Sequence, residues 1–241
     1  MKSPKTLIII DIDDTFLPHR TVSIGHRLFW KRFPDIKLFL LGAELYMIKL
    51  YREILNMIGI RISNEYLIRK WIGGIIRSDV TKKEYELPCS NLRKLIYSDI
   101  FDLYRRLLSI HPDRHVIAIT KSFMVYNSCN KPDFDMPNNP LFKILWIDEF
   151  YSNKFFTDKK DTKIEIIRSA EIIIKNGKDK LRIAQDAVNR ITPKKVILFI
   201  DDYEDLELLR LREIKGLEVV TAFAGKKIRK YVGAGCWNST A

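Results

Sequence analysis

The stretch TLIIIDIDDTFLP, residues 6–18, runs four aliphatic side chains, Leu7 to Ile10, straight into three carboxylates, Asp11, Asp13 and Asp14. An uninterrupted, Ile-rich run of this length fits a strand covered on both faces, as in a parallel sheet flanked by helices. Acids at the end of such a strand stand where open parallel sheets bind their ligands. Two more runs of the same kind lie further along. HVIAI (115–119) leads to Thr120, and VILFI (196–200) leads to Asp201. ILWIDEFY (144–151) and LEVVTAF (217–223) are further candidate strands. Helical patterns separate them, so the expected fold class is α/β, a Rossmann-like parallel sheet flanked by helices.

The run IDDYED (200–205) adds a second acid cluster, Asp201, Asp202, Glu204 and Asp205. If the two strand ends are neighbours, carboxylates from both converge on one place. Like charges at close range need raised pKa values or a compensating cation. A hard divalent ion with oxygen ligands, Mg²⁺, meets that need. Neither cluster contains His or Cys, which disfavours zinc. A pair of solvated helix-capping turns would explain either cluster alone, but not both placed after apolar strands.

Between the first and second core strands the chain changes character. Residues 17–95 hold long amphipathic patterns, KLFLLGAELYMIKLYREILNMIG and SNEYLIRKWIGGIIRS among them, and no convincing strand. An ordinary helical crossover needs far fewer residues. The expected division is a core of residues 1–16 and 96–241 and a mostly helical insert of 17–95. Aromatics of the insert (Trp30, Phe33, Tyr46, Tyr51, Trp71) fit helix packing better than a pocket lining.

The 241 residues, 46% hydrophobic and 30% charged, describe a globular chain. No apolar run reaches the roughly 18 residues of a membrane span, so no membrane partner is expected. The N-terminus makes a poor signal peptide, which points to the cytoplasm. Cys89, Cys129 and Cys236 are scattered, which argues against a disulfide framework or a zinc site. His19, His26, His111 and His115 lack metal-ligand spacing and read as structural or surface residues. The net charge of +12 admits a nucleic-acid partner, although the basic residues are spread out and also suit a solvated surface.

DIDDT (11–15) matches the D-x-D-x-T signature of the haloacid dehalogenase-like hydrolase superfamily. VIAIT (116–120) resembles its second motif, and VILFIDDYED its acidic fourth motif. The insert resembles the cap that this superfamily places between motifs one and two. Asp14 departs from the pattern, since Gly is common there. The resemblance implies a Mg²⁺-dependent phosphohydrolase acting on a phosphate monoester of a small molecule. A phosphotransferase, or a basic nucleic-acid-binding protein with a vestigial site, is the alternative. A receiver-like signalling domain is disfavoured by the motif order and the length.

The resemblance also implies roles. Asp11 would attack phosphorus and form an aspartyl-phosphate. Asp13 would protonate the leaving oxygen and then activate water. Thr15 would brace the loop, and Thr120 would hold a phosphate oxygen. Mg²⁺ would be held by Asp11, the Asp13 carbonyl, Asp201 and a second acid, Asp205 or the adjacent Asp202, with Asp205 preferred. The family's phosphate-binding Lys has several candidates. Lys180 follows Asp179, a plausible N-cap, and opens a helix feeding VILFI. Lys163 opens an earlier expected helix with a T-x-x-E capping box, Thr162 to Glu165. Lys178 is the weaker neighbour of Lys180. The apolar spacing from 167 to 191 would also let both segments join into one long helix.

Overall fold

The computed structural model describes residues 5–12, 15–16, 64–85, 96–127, 140–161, 164–201 and 203–223, with single helical positions between 36 and 55. Strand β1 (Thr6–Ile10) lies inside a six-stranded sheet of order β4-β3-β2-β1-β5-β6. Its neighbours are β2 (Arg114–Asn127) and β5 (Lys195–Ile200), both parallel to it. Next to β2 runs β3 (Glu149–Asp161), also parallel, and β6 (Glu218–Phe223) is parallel to β5. Only β4 (Ile164–Glu171), at one edge, is antiparallel.

The aliphatic run of β1 is buried on both faces, as its sequence predicts. Leu7 and Ile9 point into a core completed by α5 (Gly177–Ile191) and the 3₁₀ segment Tyr203–Glu213. Ile8 and Ile10 point to the other side, against Tyr104 and Leu108 of α3 (Ser98–Ile110). Each residue alternates faces, so only a continuous apolar stretch satisfies both. At the centre of the second core, Phe16, Tyr104 and Phe199 meet in edge-on and tilted contacts 5.2–5.6 Å between ring centres.

A third cluster joins α1 (Asn64–Arg77) to the sheet. Trp71 sits against Tyr85, Phe123 and Phe155, with Ile72, Ile75, Val80 and Ile167 around them. The stretch following α1 is also tied to β4 through the main chain. Ile167 donates its N–H to Val80 O at 2.9 Å, and Thr81 bridges to Ile166. Arg168 pairs with Asp79, and Lys82 of the short helix α2 (Lys82–Tyr85) with Glu165 at 3.2 Å. Trp71 is thus packing material, as its helical spacing suggests, whereas Tyr51, expected to pack likewise, stands largely in solvent. Trp30, Phe33 and Tyr46 lie outside the described residues, as does most of the expected insert.

Several local expectations need correction. ILWIDEFY is not one strand. Helix α4 (Pro140–Leu145) occupies its start, and Pro140 suits a first helical position. Trp146, at a φ of 46°, ends that helix before β3 begins at Glu149. The segment after Lys163 is strand β4, not a helix, so no long helix runs from 163 to 191. Backbone pairing with β3 outweighs the local capping pattern. The cap of α5 is Asn176, whose side chain accepts from the N–H groups of Lys178 and Asp179. Asp179 lies inside the first turn, where its carboxylate accepts from Lys175 N. Finally, β2 does not end at Thr120 but continues to Asn127, with its pairing to β3 shifting register between Ile119 and Phe123.

Candidate active site

Register brings the acid-bearing strand tips together. Ile10 pairs with Phe199, and Asp11 N then donates to Phe199 O at 3.0 Å, carrying the β1–β5 ladder one residue further. Asp11 and Asp201 therefore leave adjacent strands at the same end of the sheet. Asp205, in the 3₁₀ segment, turns back towards them. One carboxylate oxygen from each of Asp11, Asp201 and Asp205 lies within 4.8 Å of the others. All three acids are buried, Asp205 completely.

Lys180 enters this cluster from the first turn of α5. Its ammonium donates to Asp11 Oδ2 at 2.5 Å and to Asp205 Oδ1 at 2.6 Å, and the residue has no exposed surface. The other Asp11 oxygen accepts from Ile12 N at 2.7 Å. Thr15 donates its hydroxyl to Asp201 Oδ1 at 2.9 Å, a side-chain contact rather than a brace through the backbone. Asp205 Oδ2 is buried and has no hydrogen-bond partner among the described residues.

Close approach of the 3₁₀ segment makes this placement of Lys180 feasible. Gly177, three residues before it, packs so tightly that a Cβ there would stand 1.9 Å from Glu204 O. Only the absence of a side chain lets α5 begin at that point. Opposite, Lys121 Nζ pairs with Glu204 at 2.7 Å and so ties the residue after Thr120 to the same segment. Asn153 secures the approach to α5. It accepts from Ile173 N and Ile174 N, both at 2.8 Å, and donates to Lys121 O and Ile174 O. None of Gly177, Asn153 or the Lys121–Glu204 pairing stands out in the sequence, because each is defined by what lies across space.

The electrostatics follow from three acids against one ammonium in a dry place. Burial pushes the Asp201 carboxyl up to about 8, and the charges of Asp11 and Asp205 push the same way. Burial likewise raises Asp205 to about 6, with Lys180 opposing and Asp11 reinforcing the shift. For Lys180, burial works to lower the pKa, but the charges of Asp11 and Asp205 outweigh it and hold it above the usual lysine range. The site carries more negative charge than its own cation neutralises. An oxygen-only donor set with one buried, unpartnered carboxylate oxygen suits a hard divalent cation.

Of the residues singled out in the sequence, Asp11, Asp201, Asp205 and Lys180 meet directly. Thr120 is buried at the β2 register shift, two residues past the Ala118 that pairs with Ile10, and its Oγ1 accepts from Ser122 N at 3.2 Å. Irregularities of this kind re-aim side chains beside active sites. Lys178 is exposed and its backbone serves the Asn176 cap. Asp13, Asp14, Asp202 and Lys163 lie outside the described residues, as do His19 and His26. His111 and His115 make structural contacts away from the acids, with Thr6 and with Glu149.

No protein-family model matches the sequence, and no curated protein matches it. Solved structures do. The chain is similar to a phospho-aspartyl intermediate analogue of phosphoserine phosphatase (TM-score 0.57, 17% identity), which covers 95% of this chain and 91% of the other. A substrate-bound phosphoserine phosphatase matches at TM-score 0.57 and 16% identity, covering 95% and 91%. An unliganded probable phosphoserine phosphatase from Vibrio cholerae matches at 0.54 and 14%, covering 93% of this chain and 58% of that one. At such identities the likeness is one of fold, a mostly parallel α/β sheet flanked by helices.

Proposed function

We propose that this chain, which carries the haloacid dehalogenase-like fold, is a Mg²⁺-dependent phosphoric monoester hydrolase. The observation that carries the reading is the meeting of Asp11, Asp201 and Asp205 around a fully buried Lys180. A bulk-exposed acid turn has no reason to bury a lysine among its carboxylates, since burying charge is costly unless it is used or fully paired.

In this reading Asp11 is the nucleophile. Its carboxylate oxygen bonds to phosphorus as the bond from phosphorus to the ester oxygen breaks, leaving an aspartyl-phosphate. Lys180 holds the Asp11 carboxylate in place through their hydrogen bond and shields the incoming phosphate from its charge. Asp13, two residues on, gives its proton to the departing alkoxide. It then takes one from the water that cleaves the acyl-phosphate and restores Asp11. Thr15 orients Asp201, and the Thr120 hydroxyl holds a phosphate oxygen. Asp11, Asp201 and Asp205, with the Asp13 carbonyl, would hold Mg²⁺, whose chemistry is to neutralise and orient the phosphate. Residues 17–95 would form the cap that closes over the site and selects the substrate. A small phosphorylated metabolite is the proposed substrate class, in keeping with the phosphoserine phosphatases of similar fold.

The test is hydrolysis of p-nitrophenyl phosphate and a panel of small phosphomonoesters with Mg²⁺ or EDTA. Asp11→Asn is expected to lower the rate by about 10³-fold or more. Release of phosphate to water, rather than its delivery to an added alcohol, separates the hydrolase from a phosphotransferase. Equal inertness of wild type and variant across the panel would sink the proposal.

A further inference from the structure

Positions 36, 40, 43, 47, 50, 51 and 54 are helical, and six of them carry large apolar side chains that stand in solvent. Ile36 is 71% exposed, Leu40 60%, Met47 61%, Leu50 42%, Tyr51 60% and Ile54 45%. At the helical repeat these positions fall within about 100° of arc, so they form one stripe. The charged residues of this stretch (Lys37, Glu44, Lys49, Arg52 and Glu53) fall outside that arc on the same repeat. A soluble surface seldom leaves so long an apolar stripe uncovered unless something docks on it.

Charge identifies what docks. Between residues 17 and 95 the sequence has fifteen Lys and Arg against seven Asp and Glu, so most of the +12 excess lies in the segment that carries the stripe. Directly before the stripe, RLFWKRF (27–33) interleaves three basic residues with three aromatic ones. An apolar helix face within a basic, aromatic-flanked segment is the pattern of a helix that lies in the plane of a bilayer. The spacing 36–40–43–47–50–54 would also serve a helical seam between two copies. Two copies would, however, bring like charges of +12 together, whereas an anionic lipid surface attracts them.

We propose that this face docks on anionic membranes, with Ile36, Leu40, Met47, Leu50, Tyr51 and Ile54 seated among the acyl chains and the basic residues of the preceding sequence, Arg27, Lys31 and Arg32, on the headgroups. Such a helix lies on the membrane and does not span it; no described helix is long and apolar enough to cross a membrane. The inference is independent of the proposed hydrolase activity, since none of these residues belongs to the acid cluster.

Flotation of the full chain with phosphatidylcholine vesicles, with and without roughly 30% phosphatidylglycerol, tests it. Wild type is expected to bind the anionic vesicles at least about tenfold more tightly than the neutral ones, and to weaken as salt is added. The double substitution Leu40→Glu/Met47→Glu should lower that binding by about tenfold or more with the melting temperature unchanged. Leu50→Gln/Ile54→Gln, a milder pair, checks the same face should the first fold poorly. Absence of wild-type binding overturns the proposal, as does equal binding by wild type and both variants. A dimer seen by light scattering and abolished by the same substitutions would assign the face to a second copy and overturn it equally.

Discussion

Replacing Lys180 by Met keeps most of the stem's volume and removes the ammonium held between Asp11 and Asp205, 2.5 and 2.6 Å from their oxygens. No cavity of consequence opens, so the effect is electrostatic. Removing one partner of a buried ion pair costs about 3–5 kcal/mol, because the other charge is left without compensation. For a chain of this size each kcal/mol moves the melting temperature by about 2–4 °C, which gives a fall of roughly 6–20 °C. The assay is thermal unfolding followed by circular dichroism in EDTA at pH 8. Lys178→Met, at an exposed neighbour, serves as control and should leave the transition within about 1 °C. The loss should shrink as the pH is lowered, since protonated carboxyls no longer need the ammonium. It should also shrink when Mg²⁺ is added, since a dication replaces the missing charge. A melting temperature for Lys180→Met within about 1 °C of wild type at pH 8 in EDTA would refute the buried-cluster argument.

Two further outcomes follow from the same site. Gly177→Ala should destabilise the protein by about 1–3 kcal/mol in urea titration, because its Cβ would meet Glu204 O at 1.9 Å. On helix propensity alone the change would stabilise by up to about 1 kcal/mol, so the sign of the shift decides between close approach and propensity. The metal-free protein should lose stability as pH rises. Asp201 binds its proton more tightly folded, near 8, than at its ordinary 3.8. Its contribution is therefore fully present below about pH 4 and lost as pH climbs through about 8. Asp205, raised to about 6, acts in the same direction. The gain in melting temperature on adding Mg²⁺ should accordingly grow from pH 5 to pH 8, and a gain that is flat or declines over that range would be inconsistent with a shared acid site.

The fold was legible where covalent order and burial demand the same thing. Leu7–Ile10 and Val196–Ile200 are continuous because both faces of an interior strand are covered, and their acids follow at the carboxyl tips, the end at which open parallel sheets bind ligands. Where several local patterns competed, sequence could not choose. The T-x-x-E pattern at Thr162 suggests a helix, but pairing of Ile164–Glu171 with β3 makes the segment a strand. The two remaining Lys choices are distinguished in the same way. Lys178 and Lys180 both stand in the first turn of α5, Lys180 being the stronger choice on sequence, and the 3₁₀ segment packed against α5 shows that Lys180 is the one that enters the cluster.

Sequence by itself determined the layered α/β plan, the two acid-tipped strands and the residues able to form the site. Periodicity and strand composition are properties of neighbours along the chain, and they survive without any knowledge of the fold. Tertiary structure decided which lysine is buried, that Thr120 lies at a register shift within a longer strand, and that the apolar side chains at the helical positions 36, 40, 47, 50, 51 and 54 stand in solvent. An amphipathic pattern states that a helix has two unlike faces. Which face meets water is set by the elements packed against it, and that is a matter of space rather than order.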